Sequence, residues 1–341
     1  MLIQDPTSRR IKLDLPLREG ILESFVETRD NLFRSVEAGL SSSSPNLDYR
    51  LLYDATGSRI FEEITNLPDY YLTRIEALLL MQNAAEIAAL AGPVPLVELG
   101  AGSGRKTRYL IDAFEASYGS ARYIPVDVSE TALKMASTTL SMRHPRTQIL
   151  PMHAQHQMAL SLLESIGPAL VIFLGSSIGN FSEDEEDFFY AQLNRRMPFG
   201  GFFLLGVDLI KAPGIIESAY NDSAGVTASF IANLFRRLQR ELGLELDMNG
   251  FEFKTRYDKR HERMELYARF DKAIRLSSDV SNRSVEVVPG EPILVEICRK
   301  YCLCSLDKHL QKHGLRVLRV FMDQNEWFAD LLITHRDNRD F

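Results

Sequence analysis

One stretch constrains the fold more than any other: PVPLVELGAGSGRKTRYLIDAF, from Pro93 to Phe114. Pro95, Leu96, Val97 and Leu99 form a short apolar run that reads as a buried parallel strand. Gly100, Gly102 and Gly104 follow at once, and Thr107, Tyr109, Leu110, Ile111, Ala113 and Phe114 open a helix. Strand, glycine-rich turn and helix make the first unit of a nucleotide-binding α/β sheet, in which the ligand sits beyond the carboxyl ends of the strands.

Three nucleotide readings compete for this turn. GAGSGRKT nearly supplies the G-x-x-x-x-G-K-[ST] of a P-loop, but the sixth position is Arg105, whose side chain intrudes on a backbone cradle for phosphate. A dinucleotide fingerprint needs G-x-G-x-x-G, and here the third glycine comes one residue early. The remaining pattern is E-x-G-x-G-x-G, starting at Glu98. It is similar to the first motif of class I methyltransferases, whose turn wraps the amino-acid end of S-adenosyl-L-methionine.

The 341 residues suffice for one large domain or two ordinary ones, and 45% hydrophobic with 25% charged residues is a globular composition. A formal charge of −7 argues against nucleic-acid partners, which need a basic face. Arg236–Arg237 and the basic residues of 254–263 read as solvated faces. The N-terminus lacks the pattern of a secretory signal, and no run approaches the ~18–20 apolar residues of a membrane span. Cys298, Cys302 and Cys304 are odd in number and crowded, as free thiols in a reducing compartment are. The expectation is a cytoplasmic monomer with no nucleic-acid or membrane partner.

Residues 1 to about 20 read as a polar arm. Ile21, Phe25, Leu32, Phe33 and Val36 have helical spacing, and SSSSPN from Ser41 is a loop. Ile60, Phe61 and Ile64 mark another helix, and a further one runs from Arg74 to about Leu90, with Thr73 placed to cap it. From Leu96 strands and helices alternate: ARYIPVDVS, TQILPMHA, ALVIFLGSSIGNF and GGFFLLGVDLI supply the later strands. Ile215–Leu242 reads as one long helical stretch, and FEFKTRYD, MELYARF and VEVV as antiparallel strands. A helix over Ser305–His313 and two closing strands return to the first sheet. The fold class is α/β: a Rossmann-like, mainly parallel sheet of the class I methyltransferase type, with a second α+β substrate-binding domain. The expected division is 75–210 with 301–341 for the cofactor, and 20–74 with 211–300 for the substrate.

Asp127 ends the second strand, where a carboxylate can accept from both ribose hydroxyls; a helix cap is the plain alternative, for which Ser129 is better placed. Lys106 is positioned either to pair with the methionine carboxylate of the cofactor or as a solvated lysine at a helix start. Methyl transfer from a sulfonium is an in-line displacement, so the enzyme must desolvate the acceptor, keep it unprotonated and align it. The GSSIGN loop, Gly175 to Asn180, is where an acceptor would be held. Asn180 offers both a donor and an acceptor, or forms an Asx turn. His309 and His313 share a helix face near Cys302 and Cys304, but the spacing fits no usual zinc pattern; no metal is assigned, and surface histidines with buried thiols are expected.

Six motifs in order then become specific: YDATGSRIFEEITNLPDYYLTR, VELGAGSGRKT, YIPVDVS, FLGSSIGNF, LLGVDLIK and AYNDSAGVTASF. Together they resemble the histidine N-alpha-methyltransferase family of ergothioneine biosynthesis, from about Leu51 to Glu296. The resemblance implies S-adenosylmethionine-dependent methylation of the α-amine of L-histidine, three times over, giving trimethylhistidine. It implies cofactor contacts at Tyr53, Gly100, Lys106 and Asp127, with Gly102 and Gly104 completing the turn. It implies that Tyr53, Asn180 and Tyr220 orient the substrate's amine and carboxylate, and that Tyr70 and Glu296 read the imidazole. A neutral imidazole has one donor and one acceptor nitrogen, which a carboxylate and a hydroxyl can read together.

The chain departs from that family pattern at four places. Cys298 stands where the family has serine, Leu266 where a methionine lines the ring pocket, Gln155–His156 where Asp-Phe meets the adenine, and Leu72 where proline is usual. Gln155 retains the ability to bond an adenine amine. These changes bear on the substrate more than on the cofactor. They leave another aromatic amino acid such as tryptophan, or a non-catalytic amino-acid-binding homologue, as alternative readings; an ATP-hydrolysing P-loop protein is opposed by Arg105.

Overall fold

The structure is a computed structural model and describes residues 22–23, 28–278 and 283–336. The expected N-terminal arm lies outside the described residues, as do Ile21 and Phe25 of the helical spacing after it; Leu22–Glu23, within that spacing, pair as a short strand, and the helix begins only at Arg29. The first helix is α1 (Arg29–Leu40), capped by the Thr28 hydroxyl, followed by α2 (Ala55–Ile64) and α3 (Tyr71–Ala91). Helix α3 starts three residues before the expected Arg74, and Thr73 lies inside it rather than capping it.

Strands β1 (Leu22–Glu23), β2 (Leu96–Leu99), β3 (Ala121–Asp127), β4 (Thr147–Ile149), β5 (Met152–His153), β6 (Leu170–Phe173) and β7 (Phe202–Asp208) pair in parallel. Helices α4 (Arg108–Tyr118), α5 (Glu130–Arg143), α6 (His156–Ile166) and α7 (Glu183–Arg196) alternate with them. The single strand expected from TQILPMHA is split into β4 and β5 around Leu150–Pro151.

The long helix expected over Ile215–Leu242 is two helices, α8 (Pro213–Tyr220) and α9 (Val226–Leu242). The Asp222 carboxylate between them accepts from the amides of Val226 and Thr227, so a cap begins a second helix where one was expected to continue. An antiparallel sheet follows, made of β8 (Phe251–Asp258), β9 (Arg263–Phe270) and, after the hairpin β10 (Ile274–Ser278) and β11 (Arg283–Val287), β12 (Ile293–Arg299). Helix α10 (Leu303–Lys312) then leads to β13 (Leu315–Met322) and β14 (Phe328–His335).

Strand β14 pairs antiparallel with β7, and β13 with β14, so the chain returns to the central sheet as expected. Its order is β1-β5-β3-β2-β6-β7-β14-β13, with β4 beside β3. The inner strands are mostly apolar, as strands covered on both faces are: β2 and β6 are buried at every position, with Glu98 the one charged residue in them. One hydrophobic cluster covers each face, around Phe189 and Tyr190 on one side and Phe114 and Tyr123 on the other. A third gathers α1, α2, α8, α9 and β8–β12 about Phe230 and Phe235.

Candidate functional site

Two adjoining cavities lie where the carboxyl ends of β2, β3 and β6 face α2, α8, α9 and β12. The larger, about 570 Å³, is bordered by Tyr53, Gly100, Gly102, Asp127, Gln155, His156, Phe173, Ser177 and Asn180 among others. The smaller, about 40 Å³, is bordered by Tyr53, Phe61, Tyr70, Ser176, Ser177, Asn180, Tyr220, Leu266, Glu296 and Cys298. Tyr53, Phe61, Ser177 and Asn180 belong to both walls.

The larger chamber is built by turns. Gly102 has φ +52°, in the left-handed region that favours glycine, and its amide donates to Asp127 Oδ2 at 2.8 Å. The Ser129 amide donates to Asp127 Oδ1 at 2.8 Å, and the Ser129 hydroxyl caps α5, as its spacing predicts. Two backbone donors thus aim the carboxylate, while burial raises its pKa against them. Such a group gains from added hydrogen-bond donors, and ribose hydroxyls are donors of the required kind. Opposite, His156 packs against Phe173 and Phe181, and burial pushes its pKa down to about 4. It is neutral at pH 7, so it adds no charge to a flat apolar wall.

Three residues of the glycine motif do other work. Glu98 is buried and accepts from the hydroxyls of Thr107 and Tyr123, tying β2 to the start of α4 and to β3. Gly104 borders neither cavity; a Cβ there would lie 2.8 Å from Leu140 Cδ1, so it serves the packing of α5. Lys106 also borders neither cavity. Its ammonium is paired with Glu76 of α3, which is fully buried and accepts from the Gly175 amide at 2.7 Å as well.

The smaller cavity collects side chains from distant elements. On β12, Glu296 and Cys298 share a face by the period-two alternation of a strand, and Leu266 stands opposite Glu296 on β9. Asn180 Nδ2 donates to Glu296 Oε1 at 2.5 Å, so it is no Asx turn but a bridge between the β6 loop and β12. Gly179 allows that approach: a Cβ there would lie 2.9 Å from the Arg299 carbonyl oxygen. Burial raises the Glu296 carboxyl to about 7, against the lowering effect of the Asn180 bond. Burial likewise raises Tyr53, Tyr70, Tyr220 and the Cys298 thiol, so all four are neutral donors or acceptors. Tyr53 packs edge-on to Phe61 and Phe230, and Tyr70 edge-on to Tyr220.

Sequence reasoning missed Ser176, Asp208 and Lys300. Ser176 has φ +58°, strained for a residue with a side chain, and its hydroxyl accepts from the Asp208 amide at 3.0 Å. Asp208 and Lys300 are buried and form an ion pair behind Tyr220. A charged residue ending the apolar strand β7 was the available signal.

The cysteine–histidine cluster does not form. His309 and His313 both bond Asp187, and Cys302 and Cys304 are exposed, so the expectation of buried thiols holds for Cys298 alone. Among the described residues no helix is long and apolar enough to cross a membrane.

Comparison with known proteins bears on this arrangement. Residues 32–335 match the family model described as histidine-specific methyltransferase, SAM-dependent. The chain is 36% identical over 299 residues to the histidine N-alpha-methyltransferase of Mycolicibacterium smegmatis, covering 88% of this chain and 91% of that one. It is 33% identical over 293 residues to the protein of the same name from Mycobacterium tuberculosis, covering 86% and 91%. Ergothioneine biosynthesis protein 1 of Neurospora crassa is 31% identical over 197 residues, 57% of this chain and 22% of that longer one.

Proposed function

The chain belongs to the S-adenosylmethionine-dependent, histidine-specific methyltransferases, and from that premise we propose that it methylates the α-amine of L-histidine three times in succession, giving trimethylhistidine for ergothioneine biosynthesis. Its sheet is the class I methyltransferase sheet. The carrying observation is the pair of adjoining cavities with a common wall of Tyr53, Phe61, Ser177 and Asn180, which lets a methyl donor and an amino-acid acceptor meet.

The larger chamber fits the cofactor. Its volume lies in the ~300–1,000 Å³ range of small-molecule sites, and Asp127 presents a buried carboxylate aimed by two amides. S-adenosylmethionine supplies an activated methyl group on a sulfonium. Asp127 would hold its ribose, Gln155 and His156 its adenine, and Gly100 and Gly102 give its backbone-facing side room.

In the smaller cavity, Asn180 and Tyr220 would hold the substrate's carboxylate, with Tyr53 beside the amine. Glu296 would accept from the imidazole N–H, and Tyr70 or Cys298 would meet the other nitrogen. The amine must be unprotonated to attack. A cavity walled by Tyr53, Phe61, Tyr70 and Phe230 disfavours an ammonium by desolvation, and neutral hydroxyls leave the amine free to turn between transfers. The division into a cofactor domain and a substrate domain is part of this reading. It is supported by the separate hydrophobic cluster of α1, α2, α8, α9 and β8–β12. Action in the cytoplasm as a monomer is a further part of this reading.

A second reading, N-methylation of another aromatic amino acid, is favoured by Cys298, whose thiol is a poorer hydrogen-bond partner for imidazole than a hydroxyl. Mass spectrometry of a reaction with S-adenosylmethionine and an equimolar amino-acid pool separates the two. Histidine alone gaining three methyl groups is the expected result. Methylation of tryptophan or tyrosine without histidine would establish the second reading, and a monomethyl end product would refute the trimethylation.

A further inference from the structure

Behind the small cavity lies a buried polar cluster centred on Asp208. Asp208, at the end of β7, is fully buried. Lys300 Nζ approaches its Oδ2 at 2.8 Å, Lys211 pairs with its Oδ1, and the Tyr71 hydroxyl lies 2.9 Å from both oxygens. Two lysines therefore share one carboxylate; burial lowers the pKa of Lys211, and Asp323 and Glu296 add negative charge within electrostatic reach of Lys211 and Lys300. Glu296, on the cavity wall from β12, accepts from Asn180 Nδ2.

The outlet of this cluster is Tyr220. Lys300 Nζ also donates to Tyr220 Oη at 2.8 Å, with both groups buried. An ammonium can only donate, so the phenol oxygen must accept, and its single proton has to be donated elsewhere. The acceptor that Cys298 offers such a proton on the cavity wall is sulfur, a weak one. A carboxylate in the cavity is a far stronger acceptor and would take it over.

We propose that Lys300 is a positioning residue: it fixes Tyr220 as a hydrogen-bond donor into the small cavity and, with the Asp208–Lys211 pair behind it, selects substrates that carry an α-carboxylate. This rests on the reading of the small cavity as an amino-acid site. It assigns the recognition of the carboxylate to the polarity of a relay, beyond the bare presence of a tyrosine.

The test compares L-histidine with L-histidinol, which keeps the amine and imidazole but has no carboxylate, as ligands of the full chain saturated with S-adenosylhomocysteine. In Lys300→Met, calorimetry should give a dissociation constant for histidine raised about tenfold or more, the effect of losing a hydrogen bond to a charged group. Histidinol should change less than about twofold on the same scale. Tyr220→Phe keeps Lys300 and should show the same selective loss, which covers the case of a poorly folded Lys300→Met. Equal losses for both ligands, or no loss, in the folded variants would overturn the inference and leave the proposed function intact. Failure of the unmutated protein to bind histidine would overturn the amino-acid reading itself, and this inference with it.

Discussion

The chamber of about 570 Å³ and the cavity of about 40 Å³ are neighbours made in different ways. The larger is bordered by turns that leave adjacent parallel strands: Gly100–Gly102 after β2, Asp127 and Val128 after β3, Gln155–His156 after β5. Its polar groups are aimed by local backbone amides, as Asp127 is by Gly102 and Ser129. The smaller brings together Tyr53 before α2, Tyr70 before α3, Asn180 after β6, Tyr220 at the end of α8 and Glu296 on β12. Its polar groups are aimed by one another across long sequence separations, as Asn180 is by Glu296. Parallel strands open their carboxyl ends to one edge and so make a general nucleotide site. Specificity for an acceptor has to come from residues that only packing brings together.

If the two chambers are separate in function, damage to each should stay within it. Asp127→Ala removes the aimed carboxylate of the larger one. Binding of S-adenosylhomocysteine should weaken by about 100-fold, while the KM for histidine at saturating cofactor stays within about twofold on that scale. Unchanged cofactor affinity by calorimetry would break the comparison at its base. Glu296→Ala is the counterpart. The kcat/KM for histidine should fall by about 10- to 100-fold, because a buried donor on the ring is left unpaired, with cofactor affinity unaltered.

A subtler break separates the loop from β12. In Gly179→Ala the new methyl meets the Arg299 backbone, so Asn180 is pushed from Glu296. Histidine KM should rise by several-fold, accompanied by a modest fall in Tm. Gly179→Ala with unchanged KM would show that the Asn180–Glu296 bridge does not order the cavity.

Proton linkage gives a smaller signal. Glu296 is raised from 4.5 to about 7, so its protonated form is favoured by the folded state. Its contribution to stability is full below pH 4.5 and is lost as pH rises through about 7. Glu296→Gln should therefore gain Tm relative to the unmutated chain at pH 8, by a few degrees more than at pH 5. Thermal melts at the two pH values decide it, and an equal difference at both would show that Glu296 is not perturbed. The smallest effect is expected from Cys298→Ser, which replaces a weak hydrogen-bonding thiol with a hydroxyl. Histidine binding should tighten by no more than several-fold, and any loss measured by calorimetry would mean that the thiol's apolar packing matters more than its hydrogen bond.

Legibility followed the same division. Strand, turn and Asp127 were readable because each lies within a few residues of the backbone groups that fix it. Ser129 as the cap of α5 was readable for that reason too. Boundaries failed where one polar side chain intervened. Asp222 starts α9 by capping two amides, and nothing in the apolar spacing of Ile215–Leu242 signals the interruption. Lys106 sits beside the glycine turn in sequence, yet its ammonium is claimed by Glu76, thirty residues earlier in the chain. Lys300 carried no local sign, since its partners Asp208 and Tyr220 come from β7 and α8.

The sequence by itself determined the parallel sheet, the nucleotide-type turn and, through six ordered motifs, the family. Periodicity, glycine placement and strand-end carboxylates act over short distances, and short-range order is what a sequence displays directly. Only the tertiary structure decided that Asn180 meets Glu296, that Glu76 holds Lys106, and that Lys300 stands behind Tyr220. Burial and ion pairing between remote residues depend on where the chain returns, and that is fixed by the packing of the whole molecule.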